Sequence, residues 1–153
     1  MKLRLNLAQA FDSIPAATFL YRPTAAQPTI GYVAQHLTND NYLFCDGFGA
    51  MKSVRSKADM LTPDSVKATW PKATLVTKLK ESFTFCTAAF AQLDDTKLKE
   101  KVTVTDGGVA RWTTREGMAI SNVTDMSDHY SQIANYMRLN KMVPPTALPR
   151  PVP

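Results

Sequence analysis

Between Val76 and Leu93 the apolar residues fall at Val76, Leu79, Phe83, Cys86, Phe90 and Leu93, stepping alternately by three and four, with no Gly or Pro to interrupt them. That spacing lays one apolar stripe along an α-helix beginning near Pro71, the stripe that neighbouring helices bury in a bundle. Three other segments repeat the pattern. Leu3, Leu7, Ala10, Phe11 and Ile14 form a first helix, limited by Pro15 because the residue before a proline is biased away from helix. A second runs from about Ile30 to Phe48, with Thr29 as its N-cap, Val33, Leu37 and Phe44 inward, and Gly47 and Gly49 at its end. The last runs from about Thr114 to Asn140, capped by Thr113 or Thr114, with Val123, Met126, Tyr130, Ile133 and Met137 inward and Val143-Pro144-Pro145 stopping it.

Four amphipathic helices in 153 residues predict an all-α fold, a four-helix bundle in one domain over residues 1–145. The economical arrangement is antiparallel. The connection after the first helix and the 94–112 stretch are long enough for crossovers, so helix order alone leaves the topology open. Thr62-Pro63-Asp64 starts a short helical turn. Val102-Thr103-Val104, Asp106-Gly107-Gly108 and Val109-Ala110-Arg111-Trp112 predict a small hairpin. Residues 146–153 are a Pro-rich tail, expected to run extended over the surface. Trp70 and Trp112 are read as packing residues.

The charge is +5 from 18 basic and 13 acidic side chains, and the tightest basic cluster, Lys97, Lys99 and Lys101, is interrupted by Glu100. No basic stripe is interleaved with aromatic residues, so nucleic acid is not an expected partner. No run of 18 apolar residues occurs, so no membrane span is expected either. Cys45 and Cys86 sit in similar contexts, Tyr42-Leu43-Phe44-Cys45 and Phe83-Thr84-Phe85-Cys86. They are either two buried thiols or a disulfide stapling two helices, the second implying an oxidising compartment. The expected location is cytoplasmic if Met1 is the native start, and periplasmic or secreted if a signal peptide has been removed.

The chemistry-bearing residues are few. The chain has two histidines, His36 on the second helix and His129 on the fourth, each beside its inward stripe. Asp125 precedes His129 by four residues, which puts both side chains on one helical face. His36 would supply a third ligand from a neighbouring helix. Two imidazoles and a carboxylate with open positions suit Zn, Ni or Fe as a divalent ion. The plainer alternative for a D-x-x-x-H pair is a surface hydrogen bond. Gln132 and Tyr136 continue the face of Asp125 and His129, either lining a pocket or packing at the core edge. Asp128 is read as exposed or as a partner of a ligand.

The stretch Asp125-Met126-Ser127-Asp128-His129-Tyr130-Ser131-Gln132, with Tyr136-Met137-Arg138-Leu139-Asn140 and Pro144-Pro145 after it, resembles the last helix of DinB-like proteins. In that family it commonly reads H-[DE]-x-E-H-[YR]-G-[NQ], then Y-L-R-x-x-G-x-x-P-P. Tyr21-Arg22-Pro23-Thr24 and Thr29-Ile30-Gly31-Tyr32-Val33-Ala34-Gln35-His36 resemble the family segment ending in a ligand histidine, and the two cysteines resemble the pair some members carry. The resemblance makes His36 the first ligand and His129 the last. Asp125 stands where the family has a histidine, Ser131 and Asn140 where it has glycines. A carboxylate at 125 shifts metal preference and the acidity of bound water, or marks a lost site.

The resemblance implies a metal-dependent enzyme, a thiol S-transferase or hydrolase acting on a small thiol or other small molecule, and a homodimer. The competing reading is a non-catalytic bundle that binds a small ligand or a partner and keeps a degenerate metal site.

Overall fold

The computed structural model describes residues 2–49, 51–106 and 109–149. Four long helices form the body: α1 (Lys2–Ser13), α2 (Ile30–Phe48), α5 (Lys72–Phe90) and α6 (Arg115–Leu139). Two short helices, α3 (Lys57–Leu61) and α4 (Asp64–Lys67), lie in the α2–α5 connection, and strands β1 (Lys101–Asp106) and β2 (Val109–Thr114) precede α6.

The helix starts follow local chemistry. The Thr29 hydroxyl accepts from the Tyr32 amide at 3.1 Å, and Thr114 does the same for Gly117 at 3.2 Å. Each satisfies a donor that the first helical turn leaves unpaired. Pro63 and Pro71 stand at the N-cap positions of α4 and α5. Ser56 and Asp59 cap α3 reciprocally. Gly47, expected among the residues that end α2, lies inside the helix, and Gly49 is its C-cap.

Cross-helix contacts set the directions. Asn41 hydrogen-bonds Ser82 and Cys45 is bonded to Cys86, so positions on α2 and α5 rise together and these helices run parallel. The pairs Asn41–Asn122 and His36–His129 rise on α2 as they fall on α6, so those two are antiparallel. Arg4 reaches Phe83 and Thr87 while Asp12 reaches Lys80, which sets α1 antiparallel to α5. The bundle is therefore up-down-down-up rather than wholly antiparallel. The crossover is the α2–α5 connection, not the two stretches whose length suggested one. Short α3 and α4 give that connection the reach to return the chain to the end of the bundle where α2 began.

The main core draws Leu7, Phe11, Val33, Leu37, Leu75, Leu79, Ile133 and Met137 from all four long helices, with Ile14 just past the end of α1. A second cluster, around Cys45, Phe48, Cys86, Ala89 and Met118, is covered by Val102 and Val104 of the hairpin. The hairpin is antiparallel, in register from Lys101 opposite Thr114 to Asp106 opposite Val109. Gly107 and Gly108, on which the turn was predicted, lie outside the described residues.

Three more expectations change. Val123 is 47% exposed, and the inward position one residue earlier belongs to Asn122, whose amide donates to Asn41 at 3.0 Å. A buried polar pair between α2 and α6 thus replaces the expected apolar contact. Trp112 is 70% exposed, with the Lys101 ammonium 4.7 Å from its ring, because it points off the outer face of the hairpin. The tail begins with a 3₁₀ turn at Pro145–Ala147 rather than an extended run. Thr146 is held there by the Tyr130 hydroxyl, which donates to its side chain and accepts from its amide. Residues 150–153 of the tail lie outside the described residues.

Candidate metal centre

The antiparallel pairing of α2 and α6 brings His36 opposite His129. Their ring centroids are 4.8 Å apart, edge to face. Asp125 sits one turn before His129, with its Oδ1 3.4 Å from His129 Nε2. One donor atom from each of His36, Asp125 and His129 can be chosen so that no separation exceeds 4.8 Å. Around a tetrahedral ion with bonds of about 2.0–2.2 Å, neighbouring donors stand roughly 3.4 Å apart. The Asp125–His129 pair already meets that spacing.

The residues fit such an ion for a further reason. Asp125 Oδ2 is buried and has no hydrogen-bond partner. A buried carboxylate oxygen left in that state is costly unless something positive faces it.

His129 is oriented from behind. Its Nδ1 lies 3.0 Å from Gln132 Oε1, so the ring donates there and turns Nε2 toward Asp125. Gln132 in turn donates to the Tyr136 hydroxyl at 3.1 Å, and Tyr136 donates to the Pro28 carbonyl at 3.2 Å. Gln132 and Tyr136 thus form a relay anchored on the α1–α2 loop, and both also line a surface cleft with His129 and Asp128. Burial pulls the His129 pKa down. The hydrogen bonds to Asp125 and Gln132, with the charges of Asp125 and exposed Asp128, outweigh that and raise it above the ordinary imidazole value.

Around His36 the structure adds two residues. Asp40 Oδ2 lies 3.3 Å from His36 Nε2, and the Tyr32 ring stacks on the imidazole with centroids 6.1 Å apart. The signal for Asp40 was in the sequence, since His36-x-x-x-Asp40 has the same four-residue spacing as Asp125-x-x-x-His129. The Pro28 carbonyl carried none, because any residue supplies one. Cys45 and Cys86 lie well along α2 and α5 from this centre and are joined as a disulfide, both fully buried.

A four-helix bundle of up-down-down-up order, with a His/Asp/His cluster between its second and last long helices, defines a class of small helical proteins. The chain belongs to the DinB superfamily, whose sequence profile matches residues 2–133. It shares its fold with a DinB-like protein from Bacillus cereus ATCC 10987, at TM-score 0.71 and 16% identity over 94% of this chain and 89% of that one. A conserved protein from Enterococcus faecalis is similar at TM-score 0.64 and 14% identity, with 90% of each chain covered. A histidine-to-alanine mutant of the mycothiol-dependent maleylpyruvate isomerase is similar at TM-score 0.63 and 9% identity, over 87% of this chain and 55% of that one. No curated protein matches the sequence.

Proposed function

We propose that His36, Asp125 and His129 hold a divalent ion of the Zn, Ni or Fe type, and that the protein is a metal-dependent thiol S-transferase or hydrolase. The carrying observation is the convergence of three donors from two helices within 4.8 Å, with one Asp125 oxygen buried and unpartnered. A bound cation of this kind lowers the pKa of a thiol or a water, supplying a nucleophile near neutral pH. The protein's own residues supply the rest. Gln132 and Tyr136 fix which nitrogen of His129 faces the site. Asp125 adds negative charge that two histidines alone would lack. The cleft beside His129, walled by Pro28, Gln132 and Asn135, gives a small molecule a way in.

A thiol is the favoured substrate class, because the similar bundle of the maleylpyruvate isomerase is mycothiol-dependent. That likeness concerns the fold, so the test addresses this chain directly. Elemental analysis of untagged protein is expected to give one equivalent of Zn, Ni or Fe, lost in His129→Ala. Addition of a low-molecular-weight thiol to the Co²⁺-loaded protein is then expected to produce thiolate charge-transfer bands. Metal uptake without any thiol response favours the hydrolase. No uptake at all returns the protein to the reading of a non-catalytic bundle that binds a ligand or a partner.

A further inference from the structure

On another face of α2, centred about 110° around the helix from His36, the α2–α5 connection closes over a small open-mouthed cavity of about 50 Å³. None of its lining residues belongs to α6, so it is separate from the metal centre. Its floor is apolar, at Leu75, and its walls carry Trp70 and Tyr42. Most of the other lining side chains are polar or charged, so the charges in the wall decide what the cavity can take.

The charges in the wall are unevenly matched. Lys67 is only 5% exposed, and its ammonium is satisfied by Asp64 at 2.7 Å, with the Asn39 side chain and the Asp59 carbonyl further out. Lys78 pairs with Asp59 at 2.6 Å and lies 5.6 Å from the Trp70 ring. Arg55 differs. Its guanidinium lies 5.1 Å from the Tyr42 ring centroid, and among the described residues it makes no hydrogen bond or ion pair. Cation–π attraction to an aromatic face holds a guanidinium beside the ring while leaving its N–H groups able to donate. A fork held in this way matches a carboxylate, which it binds through two parallel hydrogen bonds. Glu81 brings a negative charge to the same cavity, but it is exposed at the rim, where solvent screens it.

We propose that this cavity binds a small planar monocarboxylate, with its carboxylate on Arg55 and its apolar body against Trp70 and Leu75. The site is distinct from the metal centre and does not depend on the reading given to it.

The two tryptophans provide the readout. In a Trp112→Phe background Trp70 is the sole tryptophan, and its fluorescence reports the cavity. Titration of the full chain with benzoate is expected to give a saturable change with a Kd in roughly the millimolar range. Arg55→Gln is expected to weaken it by about tenfold or more, with far-UV circular dichroism unchanged because Arg55 has no polar partner to lose. His129→Ala is expected to bind benzoate as the parent does, whether or not metal binds at the other site. Linear, non-saturating quenching overturns the proposal. So does equal affinity in Arg55→Gln, or tighter binding of benzylamine than of benzoate, which would put Asp59 and Glu81 in control.

Discussion

His129 owes its orientation to three residues that never touch the ion it would hold. Gln132 receives its Nδ1 proton, Tyr136 receives from Gln132, and the Pro28 carbonyl receives from Tyr136. Partners of this kind set the tautomer and aim of a ligating imidazole. Gln132→Ala is therefore expected to lower metal affinity by about ten- to a hundredfold with the fold intact, and Tyr136→Phe to lower it less, since Gln132 remains. Competition with a chromophoric chelator measures both, and an unchanged affinity in Gln132→Ala would remove the relay from the account. The same ring sets a pH dependence. Its pKa is raised, so the metal-free protein keeps the His129 proton to a pH above the ordinary imidazole value of about 6.5. Metal must displace that proton, so affinity is expected to fall as pH drops through the raised pKa, beginning above pH 6.5. Zn titrations across pH 6 to 8 show this as a steepening loss toward the acid end. The proximity of Asp125 to His129 was legible in the sequence because helical periodicity converts a spacing of four into proximity, whereas His36 was placed with them by its position beside the inward stripe of α2 and by the family resemblance. The choice between Val123 and Asn122 as the inward residue was not legible, because it turns on a hydrogen bond to Asn41 on a different helix.

At the scale of elements, two positions show how backbone geometry decides what a sequence pattern leaves open. Past α6 the chain reverses through the residue after the C-cap. The Lys141 amide donates to Arg138 and the Met142 amide to Met137, the paired hydrogen bonds of a Schellman motif. Asn140, which stands where the DinB-like pattern has a glycine, has φ −98°, while Lys141 takes φ 59°. The helix runs to Leu139, and Asn140 instead turns its side-chain amide back to the Tyr136 carbonyl at 2.8 Å. A lysine in this conformation carries strain that glycine lacks. Lys141→Gly is expected to stabilise the protein by about 0.5–1 kcal/mol, the gain reduced by glycine's greater freedom when unfolded. At the start of α2 the opposite holds. Gly31 donates to the Phe19 carbonyl at 2.8 Å, and a methyl at its Cα would overlap the Ala68 carbonyl oxygen just beyond α4. Gly31→Ala is expected to cost about 1–3 kcal/mol, because backbone rather than a flexible side chain must move. Urea denaturation measures both changes, and equal midpoints for the two variants would contradict this account. The helices were legible from their stripes and caps. Their directions were not, because a stripe says which face is buried and nothing about which way the neighbour runs.

For the molecule as a whole, parallel α2 and α5 are the feature that needs support, since their connection must return the length of the bundle. The Cys45–Cys86 disulfide supplies it, joining the two helices across a sequence separation of 41. In the chain-entropy account, a cross-link over a loop of this size removes freedom from the unfolded state worth about 4 kcal/mol. The bond lies in the smaller core cluster beneath the hairpin, while His36 and Asp125 stand nearer the main core, toward the other end of α2. Stability and site geometry should therefore separate. Cys45→Ala/Cys86→Ala is expected to lose about 4 kcal/mol in urea and roughly 8–16 °C in Tm, yet to take up Zn with affinity close to the parent's in folded protein. Reduction of the parent should be slow until it unfolds, because both sulfurs are fully buried. If the double variant instead folds normally but cannot bind metal, the hairpin end controls the spacing of α2 and α6, and the bundle responds as one rigid body rather than as two clusters sharing three helices.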